Sequence, residues 1–83
     1  MEFEWDEEKA AANLAKHKVS FEEAKTAFSD THGLLMADPD HSDDEDRFLL
    51  LGLSARLRLL VICHTYREGK ALRFFPSQAE PLR

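Results

Sequence analysis

The sequence predicts an α+β domain in which a helical hairpin packs on an antiparallel sheet. Three observations predict it. Apolar side chains recur at helical spacing as far as Phe28, the period shortens to two residues beyond Gly33, and turn residues cut the second half into strand-length pieces. With 83 residues, 43% hydrophobic and 33% charged, residues 1–83 form one domain with one core, and the composition is too apolar for a disordered chain. A domain this small hides only about 60–65% of the surface of its unfolded chain, so association is expected to support it.

Phe3 and Trp5 alternate with Glu2, Glu4 and Asp6, the pattern of a short half-buried strand. Asp6 can cap a helix running to His17, with Glu7 and Glu8 at the positive end of its dipole. Ala10, Leu14 and His17 then form its apolar stripe. Ser20 and Glu23 read as a reciprocal capping box for a second helix, which carries Phe21, Ala24, Ala27 and Phe28 inward and ends near Ser29 or Asp30. Leu34 to Met36 reads as a strand ending in the turn Asp38-Pro39-Asp40. Arg47–Ser54, Arg58–Arg67 and Lys70–Phe75 read as an antiparallel meander, with Pro76 and Pro81 opposing its continuation. The predicted core is Trp5, Leu14, Phe21, Phe28, Leu50, Leu60 and Ile62.

The longest apolar runs, Phe48–Leu53 and Leu59–Cys63, fall far short of the ~18 residues of a membrane span. Cys63 has no second cysteine to pair with and no secretory leader opens the sequence, so the expected location is the cytoplasm. The net charge of −5 is unevenly divided: residues 1–55 carry −9 and residues 56–83 carry +4. The basic end can meet an anion.

Six carboxylates crowd Asp38 to Asp46, but an EF-hand opening at Asp38 needs Gly and Glu where the chain has Asp43 and Leu49, so a solvated or partner-facing loop is expected. His17, His32, His41, His64 and Cys63 lack zinc-site spacing, and no metal or cofactor is expected. Cys63 reads as a small strand residue, and His64, on the face of Leu60, Ile62 and Tyr66, as a buried structural imidazole or else a proton-transfer group. Arg47, Arg58, Arg67, Lys70 and Arg73 lie on or beside the predicted sheet. They suit either solubility or the binding of a phosphodiester and its pentacoordinate transition state.

Phe3-Glu4-Trp5-Asp6, Lys9, Asn13, Lys16-His17 and Val19 to Ala24 are followed by Phe28, Asp30, Asp38-Pro39-Asp40-His41, Asp46-Arg47, Gly52-Leu53, Leu60-Val61 and Arg73. In this order and spacing they resemble the BrnT toxin family over nearly the whole chain to Phe75. The resemblance implies a RelE-like fold of order β-α-α-β-β-β and a metal-independent endoribonuclease of a type II toxin–antitoxin pair. It further implies a BrnA-type antitoxin as the neutralising partner, through which alone the chain would meet DNA. Lys16, His17, Arg47 and Arg73 are the implied catalytic residues, and Arg58, Arg67 and Lys70 the implied RNA contacts. Imidazole exchanges protons near neutral pH, although His17 also suits a helix C-terminus as a cation. After Arg73 the chain departs from the family: Pro76 stands for a Ser, Gln78 for an Arg, and the tail 76–83 replaces a basic helix. An alternative is therefore a catalytically impaired module that only binds the antitoxin. Of the adjacent Phe74 and Phe75, one must face away from the core, which predicts a homodimer or higher oligomer near the last strand.

Overall fold

The computed structural model describes residues 2–38, 47–69 and 73–82. In chain order the elements are β1 (Glu2–Phe3), α1 (Glu7–His17), α2 (Phe21–Ala27), β2 (Leu34–Ala37), β3 (Arg47–Leu53), β4 (Leu59–Arg67) and β5 (Arg73–Pro81). Four strands follow the helices, as the residue pattern predicts, where the order implied by the family resemblance has three. They form one sheet of order β1-β5-β4-β3-β2. The sheet is mixed and not wholly antiparallel, because β1 runs parallel to β5, with Glu2 opposite Arg73 and Phe3 opposite Phe74. The Asp38-Pro39-Asp40 turn, the acidic stretch to Asp46, His41 and the start of the last expected strand, Lys70 to Leu72, lie wholly or partly outside the described residues.

Local chemistry sets the helix ends. Asp6 accepts the Glu8 N–H at 2.8 Å, and Lys18, left-handed at φ 60°, closes α1 by donating its N–H to the Leu14 carbonyl. Ser20 Oγ accepts the Glu23 N–H at 3.0 Å, as a capping box requires. The reciprocal half is not made. The Glu23 carboxylate turns inward to Ser54 Oγ and the Arg58 guanidinium, where charge-assisted bonds are stronger than one to a backbone N–H near solvent.

Both helices cover one face of the sheet. Val19, Phe21, Ala24 and Ala27 meet Leu50, Leu60, Ile62 and Ala79 there, with Trp5, Ala10 and Phe28 packed around them. Of the predicted core, Phe21, Leu50, Leu60 and Ile62 are buried and Trp5 and Phe28 are half-buried, but Leu14 is 48% exposed. The reason is the orientation of α1: Asn13, not Leu14, faces the sheet and finds three hydrogen bonds.

The last strand does not stop at Pro76. It runs through to Pro81 as the partner of β4. Cys63 pairs with Gln78 and His64 with Pro76, leaving Ser77 as an extra residue in a bulge, where a proline that cannot donate to the ladder is tolerated. Ser77 Oγ donates to the Cys63 carbonyl at 3.2 Å. Phe74 enters the core and lies 5.1 Å from both Phe3 and Phe28, ring centre to ring centre. Phe75 faces the other way, and the Arg67 guanidinium sits 5.7 Å from its ring centre. Phe75 is half-buried, and β1 flanks β5 only at Arg73 and Phe74, beyond which the Asn13 side chain takes a strand's place at Ala79. At the far edge stands β2, whose Leu34, Leu35 and Met36 are exposed.

Candidate functional site

On α1, residues 9, 12, 13, 16 and 17 share one face by helical spacing. That face lies along Ser77 and Gln78 of β5 and encloses a hollow of about 260 Å³ lined by Lys9, Lys16 and His17. Ala12 keeps the wall between the two lysines low. Beneath it, Asn13 Nδ2 donates to the carbonyls of Val19 and Ala79 at 2.9 Å each, and Asn13 Oδ1 accepts the Ala79 N–H at 3.0 Å. This clamp fixes the distance between helix and strand.

Past Lys9 and Ser77 a second hollow, of about 460 Å³, opens toward Arg47, Thr65 and Phe75. Lys9 and Ser77 line both hollows, so the two adjoin and together make up the groove between α1 and β5. Trp5 closes one end beside the carboxylates of Glu4 and Asp6. Both carboxylates have partners: Asp6 caps α1, and Glu4 lies 3.5 Å from the Arg73 guanidinium. At the opposite end, His17 Nδ1 stands 3.5 Å from Glu80 Oε2.

The structure thus brings Lys16, His17 and, at the far end, Arg47 into one groove. Arg73 lies beside it, paired with Glu2 and Glu4 at 3.5 Å each. Arg67 sits over Phe75. Arg58 lies elsewhere: its guanidinium bonds Glu23 and the Lys18 carbonyl. That pairing holds the Glu23 carboxyl below its usual range and raises Arg58. Lys70 lies outside the described residues. The sequence reading passed over Lys9, although its spacing of seven from Lys16 marks two turns of one helix face. Ser77 drew no notice in the sequence, because Pro76 argued for an end to the strand, whereas Gln78 was marked only as standing where the family resemblance has an arginine.

His64 and Cys63 stand apart from the groove's chemistry. His64 is 1% exposed, with Phe28 and Phe48 around it and Nδ1 against the Ile62 carbonyl at 3.2 Å. Its Nε2 is buried and has no hydrogen-bond partner among the described residues, and burial pushes its pKa down. Burial, with the charges of Asp38 and Glu80, pushes the Cys63 thiol up, away from a nucleophilic thiolate. Among the described residues no group of three His, Cys, Asp or Glu side chains is placed to hold a metal, and no helix is long and apolar enough to cross a membrane.

A family model for the ribonuclease toxin BrnT of type II toxin–antitoxin systems matches residues 5–77. The chain belongs to the BrnT family. The match takes in α1, Arg47 and Arg73 and ends at Ser77, so the bulge is the last part of the groove inside it, while Gln78 and Glu80 lie beyond. No curated protein matches the chain.

Proposed function

We propose that this BrnT-family chain is a metal-independent endoribonuclease whose substrate lies in the groove between α1 and β5. The observation that carries the reading is the convergence of Lys9, Lys16 and His17 of α1 and Arg47 of β3 on the groove beside β5. RNA holds its own nucleophile, the 2′-hydroxyl, so the protein need only position the phosphodiester, neutralise its oxygens and move two protons. Lys16 binds the phosphate oxygens as charge grows on them, and Arg47, at the far end of the groove, holds the substrate in line for the reaction. His17 moves a proton between the 2′-hydroxyl and the leaving oxygen, with Glu80 orienting its ring. Arg73, held by Glu2 and Glu4, extends the cationic rim, and Arg67 contacts the RNA from beside Phe75. Arg58, committed to Glu23, serves the fold instead.

A BrnA-type antitoxin neutralises the enzyme in the cytoplasm and supplies any contact with DNA. The isolated chain forms a homodimer. Its support is the β2 edge, an uncharged Leu34–Ala37 segment with three exposed apolar residues, which can pair antiparallel with its own copy without opposing like charges.

One observation favours a second reading. Gln78 lines the groove where the family resemblance places an arginine, so one cation is missing from the site. On that reading the chain binds the antitoxin without cleaving RNA. Expression in a bacterial host separates the two. The enzyme arrests growth, and co-expression of a BrnA-type antitoxin relieves the arrest. An inert module leaves growth unchanged and becomes toxic on Gln78→Arg.

A further inference from the structure

The groove is longer than one phosphate needs, and its two hollows differ in chemistry. The smaller, between Lys9 and Lys16, offers cations and His17 with no carboxylate in its lining. The larger adds Trp5 and Phe75 rings and the Thr65 hydroxyl to Arg47, and its two carboxylates, Glu4 and Asp6, are engaged by Arg73 and the α1 cap. Ser77 and Lys9 stand at the junction, and among the described residues Lys9 makes no ion pair. Cations beside an aromatic wall are the means by which proteins hold unpaired nucleotides, since every base has a face to stack and a phosphate to neutralise.

We infer that the groove holds two consecutive nucleotides of single-stranded RNA, with Lys9 as a phosphate-binding residue between them and Phe75 as the wall for the base of the second. This rests on reading the groove as the RNA site. The first nucleotide carries the cleaved phosphate beside Lys16 and His17. The second lies toward Arg47, where its base must be unpaired to reach Phe75. A duplex keeps its bases stacked inside and presents none to that wall.

The experiment is equilibrium binding, which does not depend on turnover. A fluorescent twelve-nucleotide single-stranded RNA and a hairpin of equal length are titrated with the whole chain over a range of salt. Wild type is expected to bind the single strand at least about tenfold more tightly than the hairpin. Lys9→Met should weaken single-strand binding and lower the slope of log Kd against log salt by about 0.7, the loss of one phosphate contact, and Lys9→Arg should restore the slope. Phe75→Leu should cost roughly five- to hundredfold on the single strand while leaving the slope in place. Arg56→Met, an exposed cation outside the groove, should change neither. Unchanged slope and affinity in Lys9→Met, with wild type binding RNA, overturns the inference but leaves the ribonuclease reading standing. Equal binding of hairpin and single strand overturns the unpaired second nucleotide. Absence of RNA binding by wild type overturns both readings together. Circular dichroism of each variant confirms that it is folded.

Discussion

Asn13 and Ala79, 66 residues apart, are joined by a two-way hydrogen bond: the side-chain amide donates to the Ala79 carbonyl and accepts its N–H. The side chain acts as a short piece of neighbouring strand, and its third bond, to the Val19 carbonyl, ties in the link between the helices. Asn13→Ala leaves these backbone groups buried without partners, at about 1–3 kcal/mol for each unsatisfied group before any relaxation. A loss of about 2–4 kcal/mol in urea unfolding is expected. Asn13→Asp should be no better, because it keeps the acceptor but turns a carboxylate toward two carbonyls.

Glu23 and Arg58 form a second long-range tie, with Ser54 Oγ donating to the same carboxylate at 2.7 Å. The Glu23 side chain is 4% exposed but that of Arg58 is 32%, so solvent screens the pair in part. Glu23→Gln is expected to cost about 1–3 kcal/mol, and Glu23→Gln with Arg58→Met less than the sum of the two. The Glu23 carboxyl lies below its ordinary value in the folded chain, chiefly through the Arg58 hydrogen bond. Its contribution is therefore present above the unfolded carboxylate range and is lost as pH falls through the folded value. Acid unfolding of wild type against Glu23→Gln measures this.

Gly52 is needed for close approach. A Cβ there would stand 2.8 Å from the Ala27 carbonyl oxygen, where β3 passes under the end of α2. Backbone must move to admit it, so Gly52→Ala should destabilise the chain by about 1–3 kcal/mol, read as a lower thermal midpoint. Gly69→Ala, with none of the described residues within 4 Å of the added carbon, is the control.

Burial pushes the His64 pKa down, and among the described residues its bond to the Ile62 carbonyl opposes this. Phe28, Phe48 and Phe74 pack against the ring and bring no charge to stabilise an imidazolium. The folded pKa lies below the unfolded one, so the unfolded chain gains a proton first as pH falls. Stability from this group is complete above the unfolded value, about 6.5, and declines below it by at most about 1.4 kcal/mol per pH unit. Denaturant midpoints from pH 8 down to 5 should show the decline, and His64→Leu should flatten it.

Much of this was legible in the sequence because local chemistry decided it. Asp6 and Ser20 announce helices that begin where they stand, and the two-residue alternation through Leu60, Ile62 and His64 fixed which face is buried. The misses are long-range. Nothing near Asn13 reveals that its amide will find Ala79, so Leu14 took its place in the expected core. Pro76 opposed a strand on local grounds, and only the bulge at Ser77 lets β5 pass it. The parallel β1–β5 pair depends on both ends of the chain at once. For the groove, Lys16, His17, Arg47 and the Gln78 position were named through the family resemblance, whereas the place of Ser77 beside Lys9 required the course of the tail past Pro76.

The central claim is that the α1–β5 groove cleaves RNA without a metal. The most direct measurement is incubation of purified chain with single-stranded RNA in excess chelator, with the new ends analysed, beside the Lys16→Ala/His17→Ala double variant. The groove reading predicts cleavage to 2′,3′-cyclic phosphate ends in chelator, reduced by roughly a hundredfold or more in the variant, as loss of proton transfer alone is worth about 10²–10⁴. Equal cleavage by the variant, or cleavage that chelator abolishes, would contradict it.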